Sequence, residues 1–115
     1  MRRYSATIDA RIPAGHDRFT DTTSPYAAHL LDRLIASTAV AIPATRAFRI
    51  TGWYVAPHAR GAVLTIDCGD RDHTAAGHAV RDLLDPAQHT HEALWEPFAA
   101  WSFTLIELRD HPANT

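Results

Sequence analysis

From Tyr4 to Ile12 apolar and polar residues alternate: Tyr4, Ala6, Ile8, Ala10 and Ile12 fall on one face, Ser5, Thr7, Asp9 and Arg11 on the other. A period of two marks a strand buried on one side. Pro13-Ala14-Gly15 ends the pattern, and a polar loop leads to Ser24-Pro25. Serine as N-cap with proline at the first helical position predicts a helix start. The period then lengthens. Tyr26, Leu30, Leu31, Leu34 and Ile35 form an apolar stripe, with His29, Asp32, Arg33 and Ser37 on the solvated side.

Beyond Val40-Ala41-Ile42-Pro43 a second strand is predicted from Phe48 to about Ala56. Phe48, Ile50 and Tyr54 fall on one side, and Arg49, Thr51, Trp53 and Val55 on the other. Pro57-His58-Ala59-Arg60-Gly61 reads as a hairpin-like turn into a third strand, Ala62 to Cys68, which sets Leu64, Ile66 and Cys68 opposite Val63, Thr65 and Asp67. Asp72 or Thr74 then caps a second helix with the stripe Ala76, Ala79, Val80, Leu83 and Leu84, stopped by Asp85-Pro86. Residues 87–98 form an excursion with a helical turn around Glu92 to Trp95, and a last strand runs from about Ala99 to Arg109. The tail, His111 to Thr115, is expected to fray.

Strand, helix, strand, strand, helix, strand predicts one α+β domain, residues 1–115, on the ferredoxin-like βαββαβ plan. Such a domain is a four-stranded antiparallel sheet with both helices on one face and its first and third strands central. The other face is left open. On the alternation above, that open face carries Thr7, Asp9, Arg11, Arg49, Thr51, Trp53, Val55, Val63, Thr65 and Asp67. The last strand is expected to send Trp101, Phe103 and Leu105 inward and Ile106 and Leu108 outward, since the aromatic set belongs in the core. Trp53, Val55, Val63 and Ile106 would then make a mixed patch of the kind that marks association between molecules. Arg11, Arg49, Trp53, Val55, Val63 and Ile106 are accordingly the residues expected at a ligand site or interface.

Composition narrows the chemistry. Among 115 residues the charged groups give a formal net charge of -2, which excludes a generic polyanion binder. All 11 basic residues are arginine, so lysine Schiff-base chemistry is excluded. No apolar run has the length of a signal peptide or a membrane span, and a cytoplasmic location without membrane contact is expected. Asp9 and Asp67, on the two central strands, are the candidate catalytic pair: two carboxylates brought close split their pKa values and divide acid and base roles. The competing expectation is an ordinary cross-strand ion pair with Arg11 or Arg49. His89-Thr90-His91-Glu92 is the candidate metal group, because an extended backbone sets both imidazoles on one side, whereas a helical one splays them. It matches no closed zinc signature, and solvated loop histidines are the expected outcome. Cys68 is expected to be an inert core thiol. There is no glycine-rich phosphate loop and no nucleophile elbow. The central strands lack the basic and aromatic pattern of an RNA-binding sheet, so nucleic acid is not an expected partner.

Two functions follow as expectations. One is a small homodimeric binding or accessory domain that associates through the open sheet face, with a small molecule as a further ligand and no cofactor. The other is a cofactor-independent enzyme of isomerase, cyclase or oxygenase type, built as a dimeric α/β-barrel and using a histidine with Asp9 or Asp67.

Overall fold

A computed structural model describes residues 1–20 and 23–111. It has strands β1 (Arg2–Arg11), β2 (Arg49–His58), β3 (Gly61–Asp70) and β4 (Ser102–Asp110), with helices α1 (Thr23–Ala41) and α2 (His73–Leu83). The sheet order is β2-β3-β1-β4, and every pairing is antiparallel. The fold is therefore the α+β ferredoxin-like βαββαβ arrangement, with β1 and β3 central. No helix among the described residues is long and apolar enough to cross a membrane.

Local chemistry explains the boundaries. The entry to α1 is held by reciprocal bonds: the Thr23 main-chain N–H donates to Thr20 Oγ1 (3.2 Å) and the Thr20 N–H to Thr23 Oγ1 (2.8 Å). This is the logic of a capping box, and the first helical residue, Thr23, lies two positions before the expected Pro25. At α2 the Asp72 carboxylate accepts from the Ala75 N–H (2.8 Å), which makes Asp72 the cap. Residues 86–98 form two short 3-10 turns, Pro86–His89 and Ala93–Phe98, instead of one helical turn. The second turn carries Trp95 and Phe98 into the core, where their rings meet Phe103 and Trp101 of the last strand and its approach. Within the tail, the His111 N–H donates to the Arg3 carbonyl (2.9 Å) and is tied to the sheet. Residues 112–115 lie outside the described residues.

The core lies between sheet and helices. β1 supplies Tyr4, Ala6, Ile8 and Ala10, β3 supplies Ala62, Leu64, Ile66 and Cys68, and Leu31, Leu34, Ile35, Ala76, Ala79 and Val80 come down from the helices. Burial of each large aliphatic side chain contributes roughly 1.5–3 kcal/mol. Tyr26, expected in the α1 stripe, is instead exposed.

Two β-bulges change which side chains face out. In β2 the register shifts between Ile50 and Gly52, so that Trp53 lies opposite Ile66 and Val55 opposite Leu64, both core residues. Each extra residue in a strand reverses the alternation beyond it. Trp53 and Val55 therefore belong to the helix side, packed against the core, and Tyr54 is turned outward at 67% exposure. Trp53 is locked there by its indole N–H, which donates to Asp32 Oδ1 on α1 (2.8 Å). In β4 the pairing with β1 jumps from Thr7–Glu107 to Ile8–Leu105, leaving Ile106 as the bulged residue. Leu108 thereby joins Phe103 and Leu105 on the core side, and Ile106 is exposed at the sheet edge beside α2.

Candidate functional site

The open face is read directly from the register. Its five cross-strand rows are Arg49–Gly69–Arg3, Gly52–Asp67–Ser5–Arg109, Tyr54–Thr65–Thr7–Glu107, Ala56–Val63–Asp9–Thr104 and His58–Gly61–Arg11–Ser102. Trp53, Val55 and Leu108 are absent from it, so the expected apolar patch reduces to Val63, Ala56 and the ring of Tyr54. Hydroxyl groups and charges occupy the rest.

Each acid of the face has a basic neighbour. Asp9 is held by Arg11, whose Nε donates to Oδ2, and by His58, whose Nε2 lies 3.3 Å from Oδ1. The Arg60 main-chain N–H donates to His58 Nδ1 (3.1 Å), which makes that nitrogen an acceptor and leaves Nε2 as the donor to Asp9. Glu107 pairs with Arg109 (3.5 Å), and Asp67 with His111 (3.8 Å). Burial pushes the Asp9 carboxyl up, but the hydrogen bonds from Arg11 and His58 and the charge of Arg11 together outweigh it and hold Asp9 below the ordinary aspartate value.

Asp9 and Asp67 do not form a pair. Asp9 lies opposite Val63 and Asp67 opposite Ser5, four residues along and one strand across, about 14 Å between backbones. At that separation the two carboxylates lie more than a Debye length apart and do not act on one proton together. Arg49 stands in the end row, where its guanidinium donates to the carbonyls of Phe48 and Ala44 (2.7 Å each) and braces the loop before β2. Arg11 and Val63 remain on the face as expected. His58 joins them, a residue assigned in sequence to the turn. Gly61 makes the junction possible, since it has φ +148 and a Cβ there would meet the Ala10 carbonyl oxygen at 2.0 Å.

The histidine segment is closed upon itself. The His89 ring stacks on Trp95 (centroids 4.3 Å apart), with Nε2 2.8 Å from the Leu83 carbonyl and Nδ1 against the Glu92 carboxylate. Neither nitrogen of His89 is left for a metal, and His91 is exposed. Among the described residues, no three metal-ligating side chains converge. Cys68 is 1% exposed, and burial, aided by Asp67 and Asp70, pushes its thiol up to about 11. Such a thiol is a poor nucleophile.

Comparison with known proteins found no match: no family model, no curated protein and no solved structure is significantly similar to this chain.

Proposed function

We propose that this chain is a small binding or accessory module that pairs with a second copy of itself through the open face of its sheet. The observation that carries the reading is an uncovered four-stranded face on which three acids, Asp9, Asp67 and Glu107, each have a basic neighbour. A face whose acids are paired in this way does not strongly repel its own copy. The molecule measures 41 × 33 × 20 Å, a slab only one sheet and one helix layer thick. Four strands with roughly eight paired residues each give a projected area of about 500 Å². Accessible area exceeds projection, which brings the face toward the ~800 Å² that each partner contributes to a standard interface. We place the module in the cytoplasm, where a lone thiol such as Cys68 stays reduced.

The enzyme reading has less support because it needs a base. Asp9 is held below its ordinary value and is a correspondingly weak one, while His58 already uses both ring nitrogens on Asp9 and the Arg60 N–H. Thr65, flanked by Tyr54 and Thr7 in the middle of the face, is the place to test the pairing. Light scattering should give twice the chain mass for the unaltered protein and one chain mass for Thr65→Glu, with no large change in melting temperature. A wild-type monomer at every concentration, or a Thr65→Glu dimer as tight as wild type, would overturn the proposal.

A further inference from the structure

On the helix side, away from the open face, the loop before β2 and the helix α2 flank an open cavity of about 450 Å³. Asp70, the last residue of β3, forms part of its wall and is only 4% exposed. Its Oδ1 accepts from the Arg71 main-chain N–H (2.7 Å). Among the described residues, no cationic side chain comes within ion-pair distance of this carboxylate. Its other oxygen makes no hydrogen bond and opens to the cavity, so Asp70 presents a carboxylate with no counter-charge that a cation from outside the chain complements.

The remaining walls define that cation's other parts. Arg46 and Arg71 line the same cavity, both exposed and neither ion-paired among the described residues, and Asp82 and His78 face it from α2. Two carboxylates and two guanidinium groups thus line the cavity, Asp70 buried and Asp82, Arg46 and Arg71 at the exposed rim. Phe48 and Ala79 give an apolar surface between them. A molecule that complements this arrangement has an ammonium group to bury, a carboxylate a few bonds away, and a small apolar substituent. The volume lies at the small end of ligand pockets.

We infer that this cavity binds a small zwitterion of the α-amino-acid class, its ammonium on Asp70 and its carboxylate on Arg46 and Arg71. The site shares no residue with the open face, so it stands or falls independently of self-association. The test is a titration of the full chain, followed by amide NMR, with the common L-α-amino acids one at a time. For any that binds, the matching primary amine and the N-acetylated amino acid are the controls. At least one amino acid should saturably shift the amides of Arg71 and Ala47. Its amine and its N-acetyl form should each bind at least about tenfold more weakly, the worth of one lost charge-assisted bond.

Asp70→Asn should weaken binding about a hundredfold while the ligand-free protein melts no lower than wild type, because asparagine can still accept the Arg71 N–H and removes an unpaired buried charge. Arg46→Gln, at an exposed position, should cost about tenfold and tests the carboxylate half independently of Asp70. The inference is overturned if no amino acid binds, or if the amine binds as tightly as the zwitterion. It is also overturned if Asp70→Asn fails to fold or melts far below wild type, which would make Asp70 a structural acceptor only.

Discussion

Replacing Gly61 by alanine should damage both the fold and the open face. Gly61 has φ +148, a region that side-chain-bearing residues avoid at a cost of about 1–3 kcal/mol. The new methyl would also lie 2.0 Å from the Ala10 carbonyl oxygen, where contacts below 3.0 Å do not occur, so β1 and β3 must part by about 1 Å at this end. That separation weakens the terminal pairs of Gly61 with Arg11 and His58, at about 1 kcal/mol for a hydrogen bond lost. The sum is about 3–4 kcal/mol, a large part of a total stability of roughly 5–15 kcal/mol. For a chain of this size it lowers the melting temperature by about 10–15 °C. Gly15→Ala is the control: Gly15 also has positive φ (+89) but nothing within 4 Å of a Cβ, so it should lose only about 1 kcal/mol. Urea and thermal unfolding followed by circular dichroism measure both. If Gly61→Ala costs no more than Gly15→Ala, the close approach of β3 to β1 is wrong, and so is the junction that brings His58 to Asp9.

Trp53→Phe should cost about 1–2 kcal/mol through the lost bond to Asp32, and Trp53→Phe with Asp32→Ala should cost less than the sum of the single changes. Additive costs in that double-mutant cycle would show that Trp53 does not face α1. Asp9 contributes through a folded-state pKa held below its ordinary 3.8, so its contribution is fully present above that value and is lost as pH falls through the lower folded value. Asp9→Asn should accordingly lower the melting temperature near neutral pH, and the difference from wild type should shrink below about pH 4. A difference that stays constant into strong acid would contradict the ion-paired geometry. Cys68, 1% exposed with its thiol pushed up to about 11, should react with a thiol reagent about a thousandfold more slowly in native buffer than in denaturant. Rapid native labelling would place it outside the core.

The element order was readable because β1, β3 and α2 keep one period from end to end and α1 keeps it from Ala27 to Thr38, and the burial of Tyr4, Ile8, Leu64 and Ile66 follows from it. What misled was a change of phase within an element. In β2 the signal was Gly52: a lone glycine inside a strand marks a bulge, and beyond it every side chain changes sides. In β4 the apolar positions switch from odd (Phe103, Leu105) to even (Leu108), which is itself the trace of the bulge at Ile106. His58 was missed for a related reason. Pro57 resembles a turn residue, yet β2 is an edge strand, where proline is tolerated, and the strand continues to His58. The pairing of Asp9 with Arg11 lay within the alternation of a single strand. The distance from Asp9 to Asp67 did not, because it depends on the β1–β3 register.

The claim that the open face pairs with a second copy is tested most directly by NMR on a mixture of isotope-labelled and unlabelled chains, filtered for contacts between molecules. The account predicts intermolecular contacts among the Tyr54 ring, the Val63 methyls and the methyls of Thr7, Thr65 and Thr104, all in the middle rows of that face. No intermolecular contacts, or contacts confined to exposed α1 residues such as Tyr26 and Val40, would contradict it.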